Sequence, residues 1–325
     1  MEIKNAKMDW NLILKGYLEF LEEKYPGLPI RESMELLIEK LTQNKIRSRV
    51  IVSGKEVAAY AYIVESEELK DRNYASIGFL HPDMYNEKRV ENLLNWIISE
   101  SKNDKKIPMI NEIFNAPESW EAIAEEHGFR KFARTRMTID LHDLSFPISE
   151  IPSGMRISPF TDLTAAQYAE LAYRAYSGTE DSILYTPTLE QSLAMSKSLF
   201  SEEYGSIIKE ASYAVWSKDT LSGCIVFTNG EGPRAIESVP LLADIDLLPH
   251  LRGKGVGRVI LTRALSEMSR IGYLRADLWV SENNPARNLY ASLGFTDRHQ
   301  PREVFFYIPP DQTSGDRAAS TSGIM

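Results

Sequence analysis

The chain has 325 residues, 43% hydrophobic and 26% charged, which is enough for two ordinary domains with a core in each. A formal net charge of −9 argues against generic binding to nucleic acid or anionic lipid, since both need a basic footprint. The single cysteine, Cys224, excludes an internal disulfide framework and a cysteine-rich metal site. No apolar run approaches the ~20 residues of a bilayer span, and Met1 to Asn5 lack a secretory layout, so the cytoplasm is the expected compartment.

In chain order, Asp9 to Tyr25 predicts a helix, with Leu12, Ile13, Tyr17, Phe20 and Leu21 on a spacing near 3.6. Pro26-Gly27 stops it, and Arg31 to Leu41 predicts a second. Arg49 to Val52 and Glu56 to Val64 form a hairpin across Ser53-Gly54. A strand from Tyr74 to Leu80, a helix from Glu87 to Ser101, a strand from Met109 to Phe114 and a helix from Glu118 to His127 follow. Phe129 to Leu141 adds one or two strands. Pro147 to Gly154, rich in proline and serine, reads as a linker.

The same order then begins again. Helices are expected from Asp162 to Tyr176, capped by Thr161 or Asp162, and from Pro187-Thr188 to Phe200. A hairpin joins Tyr213–Trp216 to Gly223–Thr228, and a strand runs from Leu242 to Leu248. A helix from Val256 to Ser269, a strand from Asp277 to Val280, a short helix between Asn284 and Gly294, and a strand from Val304 to Ile308 complete the half. Asp311 to Met325 reads as a flexible tail. Pro82 and Pro249 end matching strands 167 residues apart, and Gly128-Phe129 and Gly294-Phe295 end matching helices 166 apart, which indicates a duplicated unit. The expected division is residues 1–148, residues 153–310 and a tail from 311.

Arg252-Gly253-Lys254-Gly255-Val256-Gly257-Arg258 lies between a strand and an amphipathic helix. Its three glycines let backbone approach a ligand, and a helix N-terminus offers unpaired N–H groups and a positive dipole end. That combination suits phosphate. On charge alone, a solvated basic helix face fits Arg252, Lys254, Arg258 and Arg263 equally well. A P-loop needs Ser or Thr after Gly-Lys, where Gly255 stands, and a dinucleotide fingerprint needs glycine where Ile260 stands.

Arg252-x-x-Gly255-x-Gly257, followed by Asn283-x-x-Ala286-x-x-Leu289-Tyr290-x-x-x-Gly294-Phe295, resembles the GNAT-type N-acetyltransferase superfamily. The resemblance implies an α/β fold of two tandem acetyltransferase-like domains, each a twisted mixed sheet flanked by helices. This layout, with a degenerate first half, is similar to that of the mycothiol synthases. It implies acetyl transfer from acetyl-CoA to a primary amine on a small molecule or peptide, by direct attack. Arg252 to Gly257 would hold the pyrophosphate, with Arg258 beside them. The edge from Ile245 to Leu248 would pair with the pantetheine arm, and Leu247 or Leu248 would donate an N–H to the thioester carbonyl. Asn283 would lie near the cofactor, and Tyr290 would assist the departing thiolate. Ordinary tyrosine and thiol pKa values make full proton transfer uphill by roughly 2 kcal/mol, which favours a hydrogen bond over a complete transfer.

Asp244 and Asp246 share one strand face and are candidate bases, with a solvent-facing pair as the plain alternative; Glu237 is a further carboxylate. Trp279 either lines the acceptor pocket or sits in the core. Ser177 to Thr186, with Glu180, Asp181 and Tyr185, is expected to overhang the acceptor site and draw a cation. The histidines, His250 included, show no ligand spacing, so no metal is assigned. In the first half, Asn86, Glu87, Arg89 and Glu91 replace Arg252, Gly253, Gly255 and Gly257, and Ala124 replaces Tyr290, so that half is expected to be inactive. The alternative function is a non-catalytic acetyl-CoA-binding regulatory module.

Overall fold

The computed structural model describes residues 8–24, 30–65, 70–142, 150–182, 188–232 and 238–309. Tyr185, Glu237, Pro147 to Ser149 and the tail from 311 lie outside them. No described helix is long and apolar enough to cross a membrane. The chain forms two compact units, Met1–Phe132 with Val304–Met325, and Ala133–Glu303. This partition differs from the expected division at 148/153, because each unit takes its last strand from the other side of that point in the sequence.

In the first unit, α1 (Trp10–Lys24) and α2 (Ile30–Thr42) precede β1 (Arg47–Ser53), β2 (Glu56–Glu65) and β3 (Arg72–Phe79). They are followed by α3 (Glu87–Asp104), β4 (Ile107–Phe114) and α4 (Trp120–Glu126). The strand order is β1-β2-β3-β4, with only β3 and β4 parallel. The end of β11 (Thr296–Tyr307) pairs antiparallel with β4 through Phe306↔Ile110 and Tyr307↔Met109. Residues Ala58 to Ile63 of β2 are all buried, since helices cover both faces. Tyr60 and Tyr62 pack with residues of α1 and α2, while Ala59, Ala61 and Ile63 pack with residues of α3 and α4.

The second unit contains most of β5 (Arg130–Asp140), then β6 (Met155–Pro159), α5 (Ala165–Tyr176), α6 (Leu189–Phe200), β7 (Tyr213–Ser217) and β8 (Thr220–Thr228). It continues through β9 (Leu241–Leu247), α7 (Val256–Arg270), β10 (Arg275–Ser281), α8 (Ala286–Ser292) and the start of β11. The strand order is β6-β7-β8-β9-β10-β5, and β5 runs antiparallel to β10 over seven residue pairs. Val256, Ile260, Leu261, Ala264, Leu265 and Met268 form the buried stripe of α7 and join Met137 and Ile139 of β5 in one core. The mixed α/β tandem architecture is therefore the observed one.

Three local expectations differ. α5 begins at Ala165, capped by Thr164 in a reciprocal capping box with Gln167, later than the expected start at Asp162. β6 has no counterpart among the expected strands, because five residues ending in proline give little alternation to read. β11 begins eight residues before the expected start at Val304, whereas β5 is a single strand, within the expected one or two.

Candidate active site

The site follows from how β9 and β10 part. Parallel pairing joins only Asp277↔Leu241 and Leu278↔Leu242. Just beyond, β9 carries a bulge: Phe227 faces Leu242 and Val226 faces Asp244, so Ala243 is an extra residue. A bulge bends its strand and adds local twist, which here turns the end of β9 away from β10. A cavity of about 910 Å³ opens at the parting, lined by β9, β10, residues of the glycine loop, and the ends of α5 and α8.

Alternation along β9 decides which backbone groups face the cleft. The Leu248 N–H donates to the Ser222 carbonyl at 2.9 Å, so Leu248 is corrected as a candidate oxyanion donor. Ile245 N–H is held by the Asp244 carboxylate at 2.9 Å. Leu247 N–H lies on the same edge as Ile245 N–H and remains as the candidate. Its carbonyl accepts from Arg252 Nε at 3.0 Å.

Gly253 and Gly255 adopt φ of +73° and +80°, a left-handed region that other residues enter at a cost. A Cβ at either would meet nothing within 4 Å, so the strand-to-helix turn presents bare backbone to open space. Gly255 is the N-cap of α7 and no side chain caps that end. Gly257 instead packs α7 closely, since a Cβ there would lie 3.4 Å from Leu247 and 3.5 Å from Leu289. Arg252 reaches back to the carbonyls of Leu247 and Ala175, tying β9 to the end of α5. Lys254 and Arg258 are exposed, and Arg258 donates to Ser292. These features fit a pyrophosphate: an uncapped helix end, two left-handed glycines and exposed cations.

Tyr290 sits on α8, which ends in a Schellman motif. Gly294 N–H reaches Ala291 O at 3.1 Å, and Phe295 N–H reaches Tyr290 O at 3.1 Å. The Tyr290 ring is buried, edge-on to Phe295 at 5.9 Å, yet it also lines the cavity. Among the described residues its hydroxyl has no hydrogen-bond partner. Burial raises its pKa, and the charges of Asp244, Asp246 and Asp181 raise it further. That widens the uphill gap to a thiolate and leaves Tyr290 a neutral donor.

The carboxyl pair is not solvent-facing. Asp246 is 3% exposed and Asp244 is half-buried. Asp244 accepts from Tyr168 at 2.6 Å, from Tyr176 at 2.9 Å and from Ile245 N–H. Burial raises both carboxyls, Asp246 more strongly because the Asp244 charge adds to burial there. Three donors stabilise charge on Asp244, so the proton of the pair resides on Asp246. Asp246 Oδ2 is buried with no hydrogen-bond partner.

The turn after β10 is tied to residues 177–182. Asp181 accepts from Ser281 and, at 2.8 Å, from Asn284; Glu180 accepts from Asn283 at 3.2 Å. Asp181 is thereby occupied as a tether and not held open for a cation. Asn283 lines the cavity. Trp279 is half-buried and lines it too, with the Arg134 guanidinium 5.6 Å from its ring, so the core reading of Trp279 is corrected. Tyr168, Tyr176, Arg134 and Arg136 also reach the cavity and were not expected. The two tyrosines stand eight residues apart, about two helical turns, which is a readable signal once α5 is placed. Among the described residues no cluster fit for a metal occurs.

A parallel strand pair that parts beside a glycine loop at a helix N-terminus defines the GNAT class of fold, one used for acyl transfer. Residues 179–295 match the acetyltransferase (GNAT) family model. The chain is similar in fold to a GCN5-related N-acetyltransferase from Sphaerobacter thermophilus, at 17% identity and TM-score 0.51, covering 94% of this chain and 95% of that one. It is also similar to a GCN5-related glucosamine N-acetyltransferase region of a fungal multi-domain GH3 beta-N-acetylglucosaminidase, at 11% identity and TM-score 0.51, over 94% of this chain and 37% of that one. A tandem GNAT protein from the clavulanic acid biosynthesis pathway matches at 16% identity and TM-score 0.44, over 94% and 97%. No curated protein sequence matches.

Proposed function

We propose that the second unit transfers an acetyl group from acetyl-CoA to a primary amine by direct attack, without a covalent enzyme intermediate. The observation that carries this reading is the convergence of the parted β9 edge, the uncapped glycine loop and the unpartnered Tyr290 hydroxyl on one cavity. Acetyl-CoA supplies an activated thioester. Backbone N–H groups from Gly253 to Arg258 hold its pyrophosphate, with Lys254 and Arg258 adding charge. The free edge of β9 pairs with the pantetheine arm. Leu247 N–H steadies the carbonyl oxygen as negative charge develops on it. Asp244 draws in the acceptor ammonium, and the carboxyl pair takes up its proton, directly or through water. Tyr290 donates a hydrogen bond to the departing sulfur.

The test is thiol release from acetyl-CoA against a panel of primary amines, with Tyr290→Phe alongside. Turnover by Tyr290→Phe is expected to fall on the order of 100-fold, with acetyl-CoA affinity little changed. An unchanged rate would remove Tyr290 from the chemistry. Tight acetyl-CoA binding without turnover of any amine would mark a regulatory module instead.

A further inference from the structure

Beyond the carboxyl pair the cavity has an apolar side that no step of the transfer uses. Along β9, Leu242, Ile245 and Leu247 pack into the core beneath α7. The bulge at Ala243 resets the alternation, so Leu241, Asp244 and Asp246 share the cavity face. Along β10, Ala276, Leu278 and Val280 enter the same core, which leaves Trp279 on the cavity face. The parallel pairs Asp277↔Leu241 and Leu278↔Leu242 put Trp279 level with the bulge, between Leu241 and Asp244. The floor therefore carries a carboxyl pair, then an indole, then a leucine.

The roof is α6. Ser192, Met195, Ser196 and Leu199 follow helical spacing on one face, and all four line the cavity. Ser192 Oγ donates to Ala169 O at 2.8 Å and Ser196 Oγ to Ser192 O at 2.8 Å, so both hydroxyls turn back to helix backbone and the stripe is apolar in effect. Val239 and Tyr204 line the end next to Leu241. A Cβ on Gly230 would come 2.0 Å from Val239 O, and one on Gly205 would come 2.8 Å from Glu231 N, so this end is backbone packed on backbone. Among the described residues no lysine lines the cavity, and the charges over β5 are matched: Arg134 pairs with Glu303 at 3.1 Å and Arg136 with Asp277 at 2.7 Å. The carboxyl pair differs. Asp244 receives two tyrosine hydroxyls and a backbone N–H, Asp246 Oδ2 is buried without a partner, and no cation is bonded to either among the described residues.

We propose that the acceptor is an arylalkylamine: a primary monoamine joined by a short carbon linker to one aromatic ring. Its ammonium lies against Asp244 and Asp246, where a buried anion has no cation of its own. Its ring lies on Trp279 and Leu241, beneath Met195 and Leu199, since an indole offers both apolar area and a face for an aromatic partner. Leu241 stands three residues before Asp244, so about 10 Å of strand is available, enough for one ring and a linker but not for a long chain. A diamine or an ω-amino acid would bring its second charge among these apolar side chains and lose its hydration there. This reading rests on the proposed acetyl transfer for its reaction, and on Leu241, Trp279 and the α6 stripe for the body of the ligand.

The experiment compares 2-phenylethylamine with butane-1,4-diamine and 4-aminobutanoate on the full chain. Thiol release from acetyl-CoA is expected to show kcat/KM at least tenfold higher for 2-phenylethylamine than for either. Met195→Glu places a carboxylate where the ring would lie, so the ratio of diamine to 2-phenylethylamine is expected to rise at least tenfold. Met195→Leu should keep the parent's preference, and melting curves check that each variant folds. The amines are also titrated calorimetrically without acetyl-CoA, independently of turnover. If no amine is turned over while 2-phenylethylamine still binds at least tenfold tighter than the diamine, the transfer reading falls and the ligand reading stands. Diamine or amino acid turned over as well as 2-phenylethylamine would overturn the ligand reading, as would a preference unmoved in a folded Met195→Glu. Where nothing is turned over, equal or undetectable binding of the amines would overturn it too.

Discussion

The two units repeat one scaffold, and they differ where a ligand would enter. In the second unit β9 and β10 pair at two positions and part. In the first, β3 and β4 stay paired from Arg72↔Ile107 to Gly78↔Phe114. On β3, where β9 carries Asp244 and Asp246, the first unit has Ser76 and Gly78, paired with Tyr62 and Tyr60. The two rings stack with centroids 6.4 Å apart, and a Cβ on Gly78 would come within 2.4 Å of Tyr60. α4 ends in the same Schellman motif as α8: Gly128 N–H reaches Glu125 O at 2.9 Å and Phe129 N–H reaches Ala124 O at 3.0 Å. That places Ala124 on the site of Tyr290. The fold therefore needs the cap glycine in both units, while the cleft, the glycine loop and the tyrosine hydroxyl belong to one. Features that the scaffold does without are the ones to assign to a ligand.

The comparison breaks first at the exchanged strand. Phe306 is fully buried in the first unit, 4.5 Å from the Trp120 ring, although it lies near the end of the sequence. Truncating it removes a large side chain from a packed core, with an expected cost of about 3–5 kcal/mol. Phe306→Ala should lower hydrogen-exchange protection in α3 and β4 and spare α7 and β10. Met137→Ala should do the reverse, since Met137 lies in the core of the second unit. Equal loss in both units for either variant would show that the units do not hold separate cores.

Much of this is legible in the chain itself. The glycine loop, Tyr290 and the Gly294 cap rest on local backbone demands, and such demands leave residue-specific marks. The exchange of β5 and β11 leaves none, because partner choice in a sheet depends on contacts distant in sequence. The register of the first unit's loop also differs from the expected one. Its N-cap is Asn86, four residues after Pro82, whereas the N-cap Gly255 lies six after Pro249, so the first unit lacks two loop residues. Glu87 and Glu91, expected as loop substitutions, are positions within a helix that starts earlier. Alternation leaves Asp246 open as either a base or a solvent-facing residue, and its burial in the structure depends on packing by residues distant in sequence.

That burial supplies the next contrast, since Ser76 and Gly78 carry no charge. Asp246 faces Asp244 on its own strand, with Cys224, Tyr168 and Arg252 also around it, and burial with the Asp244 charge raises its pKa well above the usual carboxylate value. The folded state then keeps a proton that the unfolded chain releases above about pH 4. Stability falls as pH rises from there until Asp246 itself ionises, by at most about 1.4 kcal/mol per pH unit. Asp246→Asn mimics the protonated form and removes that slope. Urea unfolding at several pH values between about 4 and 7 should show the variant gaining on the parent as pH rises. Parallel profiles would place the proton elsewhere.

The smallest expected effect separates a turn from a binding site. Gly255 and Asn86 are both N-caps, but Asn86 has φ −158° and ψ 131°, ordinary extended backbone, whereas Gly255 sits at φ +80°. Alanine at Gly255 meets no neighbour, so its cost is backbone strain alone, about 1–2 kcal/mol of stability. Asparagine, which tolerates the left-handed region, should cost less. Strain present in both free and bound protein cancels in an affinity, so a change in acetyl-CoA binding reports the added methyl group meeting the ligand. Titration of Gly255→Ala is expected to show affinity reduced on the order of tenfold, or about 1.4 kcal/mol. Affinity equal to the parent's, beside the same loss of stability, would return Gly255 to the role of a turn residue and leave the pyrophosphate without its glycine.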